Sequence, residues 1–356
     1  HDIGHALQDK NFVAGCTSFS AWGHNTNDGK VLIGRNFDFY VGDDFARNKI
    51  ICFMKPDKGI PFAMVTWPGM IGAVSGVNQA GISVTINAAK SAIPTEAKTP
   101  VSIVCREILQ YAHTIEEAYK IAAQRHMFVS ESILVGSGGE NKAAIIEKSP
   151  DTLAIFEAVS ERIVCANHFQ SELLKKNKNN ADFRTNSSSA YRYFRLNELL
   201  DIAGVLDVQK VVKILRNPYG VKNEKIGWGN EKAMNQLIAH HSIIIRPGIP
   251  DFWVSTNPWQ LGKYLHFDLN KVFIKNEFPI DLSTTIPEDT LLMHSVYPDF
   301  IKYKNIRSKI HAEKKLSDDE LKALVVVNPD FYETYELLGD YYYNITMNKK
   351  AGIQYK

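Results

Sequence analysis

One cysteine of the four stands in a chemically suggestive setting. Cys16 follows a glycine in Ala-Gly-Cys-Thr-Ser-Phe and enters a β-rich run near the start of the chain. Cys52, Cys105 and Cys165 sit among apolar neighbours and read as small buried hydrophobes. The next run, Gly-Arg-Asn-Phe-Asp-Phe, carries a permanent cation, Arg35, and a carboxylate, Asp38. The turn Asn27-Asp28-Gly29 folds that run back beside Cys16 as a hairpin. A thiol near a guanidinium and a carboxylate has the parts of an activated nucleophile. Taken alone, the Cys16 segment reads more simply as a half-buried core thiol, and Arg35 with Asp38 also reads as a structural ion pair. There is a geometric condition as well. Residues three apart on an ideal strand point to opposite faces, so both reach one thiol only if the strand bulges or ends near Asn36-Phe37.

Other chemistries fit less well. The run Gly136–Glu140 superficially suggests a phosphate loop, but the strand-like Ala-Ala-Ile-Ile follows where a helix is needed, so it reads as a hairpin turn. His240 and His241 are adjacent, which on a regular strand sends them to opposite faces. No H-E-x-x-H, C-x-x-C or G-x-S-x-G occurs, so no metal and no cofactor is expected. Ser187-Ser188-Ser189 reads as a polar start for the helix carrying Arg192 and Arg195.

The elements that must position these residues are legible in outline. Hydrophobic residues are 45% and charged residues 22%, the proportions of an ordinary globular chain. Forty-one basic against thirty-nine acidic residues give no broad basic field, so nucleic acid is not an expected partner. The run with Lys175, Lys176 and Lys178 reads as a solvated loop. No apolar stretch approaches the roughly 18 residues of a membrane span. Strand-like runs with turns fill 12–87, helices are expected near 100–112 and 115–125, strands return, and helices follow near 189–202 and 207–216. Thr114 with Glu117 gives the second helix a capping-box start. This order suggests an α+β fold of antiparallel sheets with helices on their outer faces. From about 311 the chain turns helical and resembles a single tetratricopeptide repeat, which must cap the main domain or seek a partner.

Several segments together carry a resemblance. Cys-Thr-Ser followed after a hairpin by Gly-Arg-Asn-Phe-Asp-Phe resembles N-terminal-nucleophile amide hydrolases. The relatives are the acyl-CoA:isopenicillin N acyltransferase (C45 peptidase) group, choloylglycine hydrolases, penicillin V acylases and acid ceramidase-type amidases. "GMIGAVSGVNQAGISVTINA" is similar to the family's glycine-rich hairpin ending at Asn87, "CANHF" to its segment with Asn167, and "SSSAYRYFRL" to the helix start with Arg192. Gln79 stands where glutamate is usual. The resemblance spans about 12–270.

It implies a four-layer αββα sandwich and scission between Gly15 and Cys16. The segment 1–15 is then a propeptide remnant, 16–310 the catalytic domain and 311–356 a helical tail not needed for the chemistry. It also implies roles: Cys16 as nucleophile through a thioester, Asp38 holding the freed α-ammonium, and Arg35 favouring the thiolate. The Asn87 N–H and the Asn167 side chain donate to the oxyanion, and Arg192 ties the group together. The expected substrate is a small N-acyl amide with an apolar acyl chain, processed by hydrolysis or acyl transfer. Alternatives are a bile salt hydrolase, an N-acylethanolamine or ceramide-type amidase, and a non-catalytic binding protein on the same scaffold. Phe39, Tyr40, Trp67 and Phe169 are candidates both for an acyl pocket and for the core. The C-terminal helices are the expected site of any self-association or partner. The chain opens with His1; if an export signal was removed there, the expected location is periplasmic, cell-surface or secreted, and otherwise cytoplasmic.

Overall fold

Alternating apolar residues and turn-forming glycines and asparagines divide most of the chain into short strands. The computed structural model describes residues 15–40, 43–90, 98–127 and 129–355, so the expected propeptide segment before Gly15 lies outside the described residues. Among the described residues, fourteen strands form two antiparallel sheets of seven. In chain order they are β1 Thr17–Ala21, β2 Leu32–Asp38, β3 Ile50–Met54, β4 Phe62–Thr66, β5 Ser75–Asn78, β6 Ile82–Ala88 and β7 Glu131–Ser137. They continue with β8 Lys142–Lys148, β9 Leu153–Glu157, β10 Arg162–Cys165, β11 Ala239–Arg246, β12 Asp251–Ser255, β13 Tyr264–Asp268 and β14 Ile280–Ile286. The first sheet runs β10-β1-β2-β11-β12-β13-β14 and the second β3-β4-β5-β6-β7-β8-β9.

Three apolar layers show how the sheets stack. Between them, Ile33, Ile243, Ile245 and Phe252 meet Ala63, Val65, Val77, Leu134 and Ile145. Outside the second sheet, Val104, Cys105 and Ile108 of helix Val101–Tyr111 pack on Met64, Ile82, Val84 and Ile86. Outside the first, Leu196 and Leu200 of helix Ser189–Ala203 and Val211 and Leu215 of helix Val208–Leu215 pack on Phe19, Leu32 and Ile244. Period-2 burial on both faces of each sheet makes this a four-layer αββα sandwich. Gly34 allows the close approach on the first face, since a Cβ there would meet Val211 and Phe19. Thr114 accepts the N–H of Glu117 as the capping pattern requires, but the Glu117 carboxylate takes the His113 N–H.

Several local readings change. Part of the polar Lys/Asn run is a helix, Lys178–Asn186, capped by Asn177, whose side chain accepts from Asn179 and Asn180. Its composition is almost wholly polar, so no apolar stripe announced it. β14, with few buried residues, was not foreseen either. The C-terminal helices Asp318–Val327 and Tyr332–Asn344 share one core with helix Tyr297–His311, so this unit begins well before residue 311. That core includes Leu237, Trp259 and Leu261, which docks the unit on the sandwich. No described helix is long and apolar enough to cross a membrane.

Candidate active site

Hairpin register builds the site. Ser18 pairs with Arg35 and Thr17 with Asn36, and the Gly15 N–H donates to the Asp38 carbonyl at 2.8 Å, extending the pairing past the strand end. Alternation then places Cys16, Ser18, Arg35 and Phe37 toward the second sheet, and Thr17, Asn36 and Asp38 toward the helices. Arg35 Nη2 lies 4.0 Å from Cys16 Sγ and donates to the Ile86 carbonyl at 2.5 Å. Its Nη1 donates to Ser75 Oγ at 2.8 Å and meets His241 Nε2 at 3.2 Å. The guanidinium is thus fixed between the sheets at the thiol.

Asp38 reaches Cys16 differently from expectation. β2 runs unbroken through Asp38, and the irregularity lies on the facing strand, between Ala239 and His241. The thiol donates to the Asp38 main-chain carbonyl at 3.8 Å, whereas the carboxylate is wholly buried and, among the described residues, neither oxygen is hydrogen-bonded. The same β-bulge corrects the histidine reading: the His240 and His241 rings both stand near Phe37, at 6.3 and 5.4 Å between centroids. Among the described residues no cluster of His, Cys, Asp or Glu is arranged to hold a metal.

Arg192, one turn into its helix, joins the outer side. Its Nη1 donates to the Gly15 carbonyl at 2.7 Å, the Cys16 carbonyl at 2.8 Å and Thr17 Oγ1 at 2.8 Å, and its Nη2 to Asn167 Oδ1 at 2.8 Å. Gln236 Nε2 donates to the same Gly15 carbonyl at 2.8 Å. A Cβ at position 15 would run into the Gln236 amide, so a larger residue there would displace that amide. Burial governs the titrations. It pushes the Cys16 thiol up to about 11 although Arg35 pulls it down. It also pushes Asp38 up to about 8 against the pull of Arg192 and Arg35. The resting thiol is therefore neutral, and its carbonyl neighbour is the polarised group.

Asn167 is held on both sides, its N–H by Ser189 Oγ at 2.8 Å and its Nδ2 by the Ala88 carbonyl at 2.9 Å. Asn87 lies on β6, with its side chain committed to neighbouring strands. Its side chain accepts from Ser18 at 2.8 Å and donates to the Cys165 carbonyl at 3.1 Å, tying β1 and β10 to the second sheet. Arg195, the second arginine of the helix start, is spent on Glu198, Asn217, Asn223 and the Tyr219 carbonyl.

Comparison with known proteins places this geometry. Residues 24–231, more than half of the chain, match the acyl-coenzyme A:6-aminopenicillanic acid acyl-transferase family. The chain belongs to that family. An uncharacterized protein of Archaeoglobus fulgidus is 28% identical over 229 residues, covering 58% of this chain and 37% of that one. The N-acylethanolamine-hydrolyzing acid amidase of Caenorhabditis elegans is 27% identical over 156 residues, 39% of this chain and 41% of that one. The chain thus spans well under half the length of these relatives. Penicillin V acylase from Agrobacterium tumefaciens has a similar structure, with a TM-score of 0.49 and 14% identity over 72% of this chain and 87% of that one.

In this member of the acyl-transferase family a cavity of about 1110 Å³ opens beside the Gly15 carbonyl, with Ala88, Asn167 and Gln236 on its wall. Of the aromatic candidates only Tyr40 lines it. Phe39 and Trp67 are core residues around Phe37, and Phe169 fills a small core with Ala89, Ala154 and Leu174. The far wall comes from the C-terminal unit through Phe300, Tyr303, Phe331 and Tyr332, so the tail expected to be separate from the chemistry adjoins it. Gln236 and Ser189 escaped sequence reasoning. Gln236 lies in a stretch without periodicity, 221 residues from its partner. Ser189 was legible only as part of a helix start.

Proposed function

We propose that this protein is an N-terminal-cysteine amidohydrolase or acyltransferase that activates itself by cleaving Gly15-Cys16. The observation that carries the reading is the Gly15 carbonyl, held by Arg192 at 2.7 Å and Gln236 at 2.8 Å next to the thiol's own residue. In the first step the Cys16 sulfur attacks that carbonyl carbon. The C–S bond forms, the C–N bond breaks, and the thiol proton passes to the departing nitrogen. Water then hydrolyses the thioester, leaving a carboxyl on Gly15 and a free thiol and α-amine on Cys16. The two guanidinium and amide donors stabilise the tetrahedral oxyanion, a contribution of about 3 kcal/mol or more per donor in a buried site.

The freed amine serves turnover. An α-amine titrates near pH 7.7–8.0, so it takes the thiol proton at neutral pH and returns it to the leaving amine of a substrate. As an ammonium it supplies the hydrogen bonds that the buried Asp38 carboxylate lacks in the uncut chain. Arg35 at 4.0 Å favours the thiolate as it forms. Once Gly15 leaves, Arg192 and Gln236 face the cavity that Gly15 lined, and a substrate amide carbonyl takes its place. Asn167 keeps one amide hydrogen beyond the bond to Ala88 for the same oxyanion. The acyl-thioester is resolved by water in hydrolysis or by a second nucleophile in transfer.

The test is a panel of N-acyl amides of graded acyl length, assayed with hydroxylamine to capture the acyl-thioester. Wild type is expected to yield hydroxamate and free amine, and Cys16→Ala neither. Undiminished hydrolysis by Cys16→Ala ends the nucleophile assignment.

A further inference from the structure

His241 is a fully buried titratable group at the active-site arginine, and the proposed chemistry gives it no task. The irregularity in β11 puts it there. Between Ala239 and His241 the register against β2 shifts, so that His241 comes opposite Phe37. Directly opposed residues share a face, and the face of Phe37 is the one toward the second sheet. There the His241 Nε2 lies 3.2 Å from Arg35 Nη1 and 3.0 Å from Ser75 Oγ, while Nη1 donates to that Oγ at 2.8 Å. The three groups close a triangle between the sheets.

The guanidinium fixes the state of the imidazole. A guanidinium can only donate, so the Nε2 that faces it carries the lone pair. The ring proton is then on Nδ1, which has no hydrogen-bond partner among the described residues. The ring is also neutral, because an imidazolium would set two cations 3.2 Å apart. Burial, then Arg35, Lys49 and His240, push its titration well below the ordinary range. A buried N–H without a partner costs stability, and an apolar side chain at this position would avoid that cost. What only an acceptor does is hold Arg35. Of the five guanidinium N–H groups, Nη1 gives its two to Ser75 and His241, and Nη2 gives one to the Ile86 carbonyl. Nε is unpartnered among the described residues. The second Nη2 hydrogen is left for Cys16 Sγ, 4.0 Å away.

We propose that His241 is a positioning residue: as the acceptor for Arg35 Nη1 it turns the guanidinium so that Nη2 faces the Cys16 sulfur. The inference deepens the cysteine-nucleophile reading and rests on it. His241→Gln keeps an acceptor at this place, whereas His241→Leu removes it.

Both variants are compared with wild type, with folding checked by urea unfolding. On an N-acyl amide that wild type turns over, His241→Leu is expected to lower the self-cleavage rate and kcat by about tenfold to a hundredfold, with KM within about twofold of wild type. His241→Gln is expected to recover most of that loss. In cleaved protein the midpoint pH for alkylation of Cys16 by iodoacetamide is expected to rise by about one unit in His241→Leu and to stay near wild type in His241→Gln. The other charged groups that bear on the thiol, Asp38, Glu131 and Arg192, are common to all three proteins. Equal impairment of the two variants, or a leucine variant with wild-type kcat and alkylation midpoint, overturns the inference. A measurement independent of the leucine variant is nitrogen NMR of Cys16→Ala protein, with the His241 signals assigned by their loss on adding His241→Gln. A neutral ring protonated on Nδ1 from about pH 5 to about pH 9 is expected, and a ring protonated on Nε2, or titrating near about 6.5, overturns the inference. No turnover of any amide by correctly cleaved wild type overturns the underlying reading instead.

Discussion

The first sheet buries two aspartates among arginines, and it treats them in opposite ways. Near the β11–β12 turn, Asp251 faces Arg246 as a cross-strand pair. Arg246 Nε donates to Asp251 Oδ1 at 2.9 Å and its Nη2 to Oδ2, while His266 Nε2 meets Oδ2 at 2.9 Å. Both carboxylate oxygens are satisfied. Across the sheet, Asp38 is equally buried between Arg35 and Arg192, yet each arginine spends its hydrogen bonds elsewhere and both carboxylate oxygens go without. Buried polar groups are normally paired, and the exceptions concentrate where function needs a group held ready. The sheet therefore has one end whose aspartate is satisfied and one whose aspartate is not, and under the proposed self-cleavage Asp38 would receive the ammonium formed at Cys16.

Attacking both ends should separate the two roles. The largest effect on stability is expected from Asp251→Ala, which strips half-buried Arg246 and buried His266 of their shared partner and costs about 1 to 3 kcal/mol in urea unfolding. Its folded fraction should still cleave at Gly15-Cys16. Arg192→Leu removes the Nη1 group that serves three acceptors in the Gly15–Thr17 segment. It is expected to slow self-cleavage by about 10² to 10³, followed by the ratio of cut to uncut chain over time. Gln236→Leu removes one neutral donor from the Gly15 carbonyl and is expected to slow cleavage by roughly tenfold, with little change in stability.

The smallest effect is on pH dependence. In uncleaved Cys16→Ala protein, Asp38 stays protonated up to about 8, against its ordinary value of 3.8. Between those two values the folded chain holds a proton that the unfolded chain has lost, so stability falls as pH rises through the window. Asp38→Asn in that background is expected to flatten the fall and raise the melting temperature at the alkaline end. A slope that Asp38→Asn leaves unchanged removes the claim that this carboxylate is unpartnered before cleavage.

What the sequence made legible follows the range of the interactions. Strands with period-2 patterning and turn residues, such as those around Asn27–Gly29 and Gly136–Glu140, are local and were readable, as was the layering they imply. Cys16, Arg35, Asp38, Asn167 and Arg192 were found through motif order, and hairpin register places the first three together. The helix Lys178–Asn186 was hidden because its residues are almost all polar and leave no apolar stripe. Gln236 was hidden because its role depends on a contact across the fold, and the C-terminal wall of the cavity because docking surfaces leave no periodic trace. Asp38 was half legible. Its place beside Cys16 follows from the hairpin, but its unpaired carboxylate depends on where two distant arginines spend their donors.

The Gly15-Cys16 bond is the decisive feature. The most direct measurement is the intact mass and amino-terminal sequence of the purified, active protein, beside the same measurement on Cys16→Ala. The expected result is a wild-type chain beginning at Cys16 and a variant that remains uncut and inactive. A homogeneous, fully active chain still carrying Gly15 joined to Cys16 contradicts it.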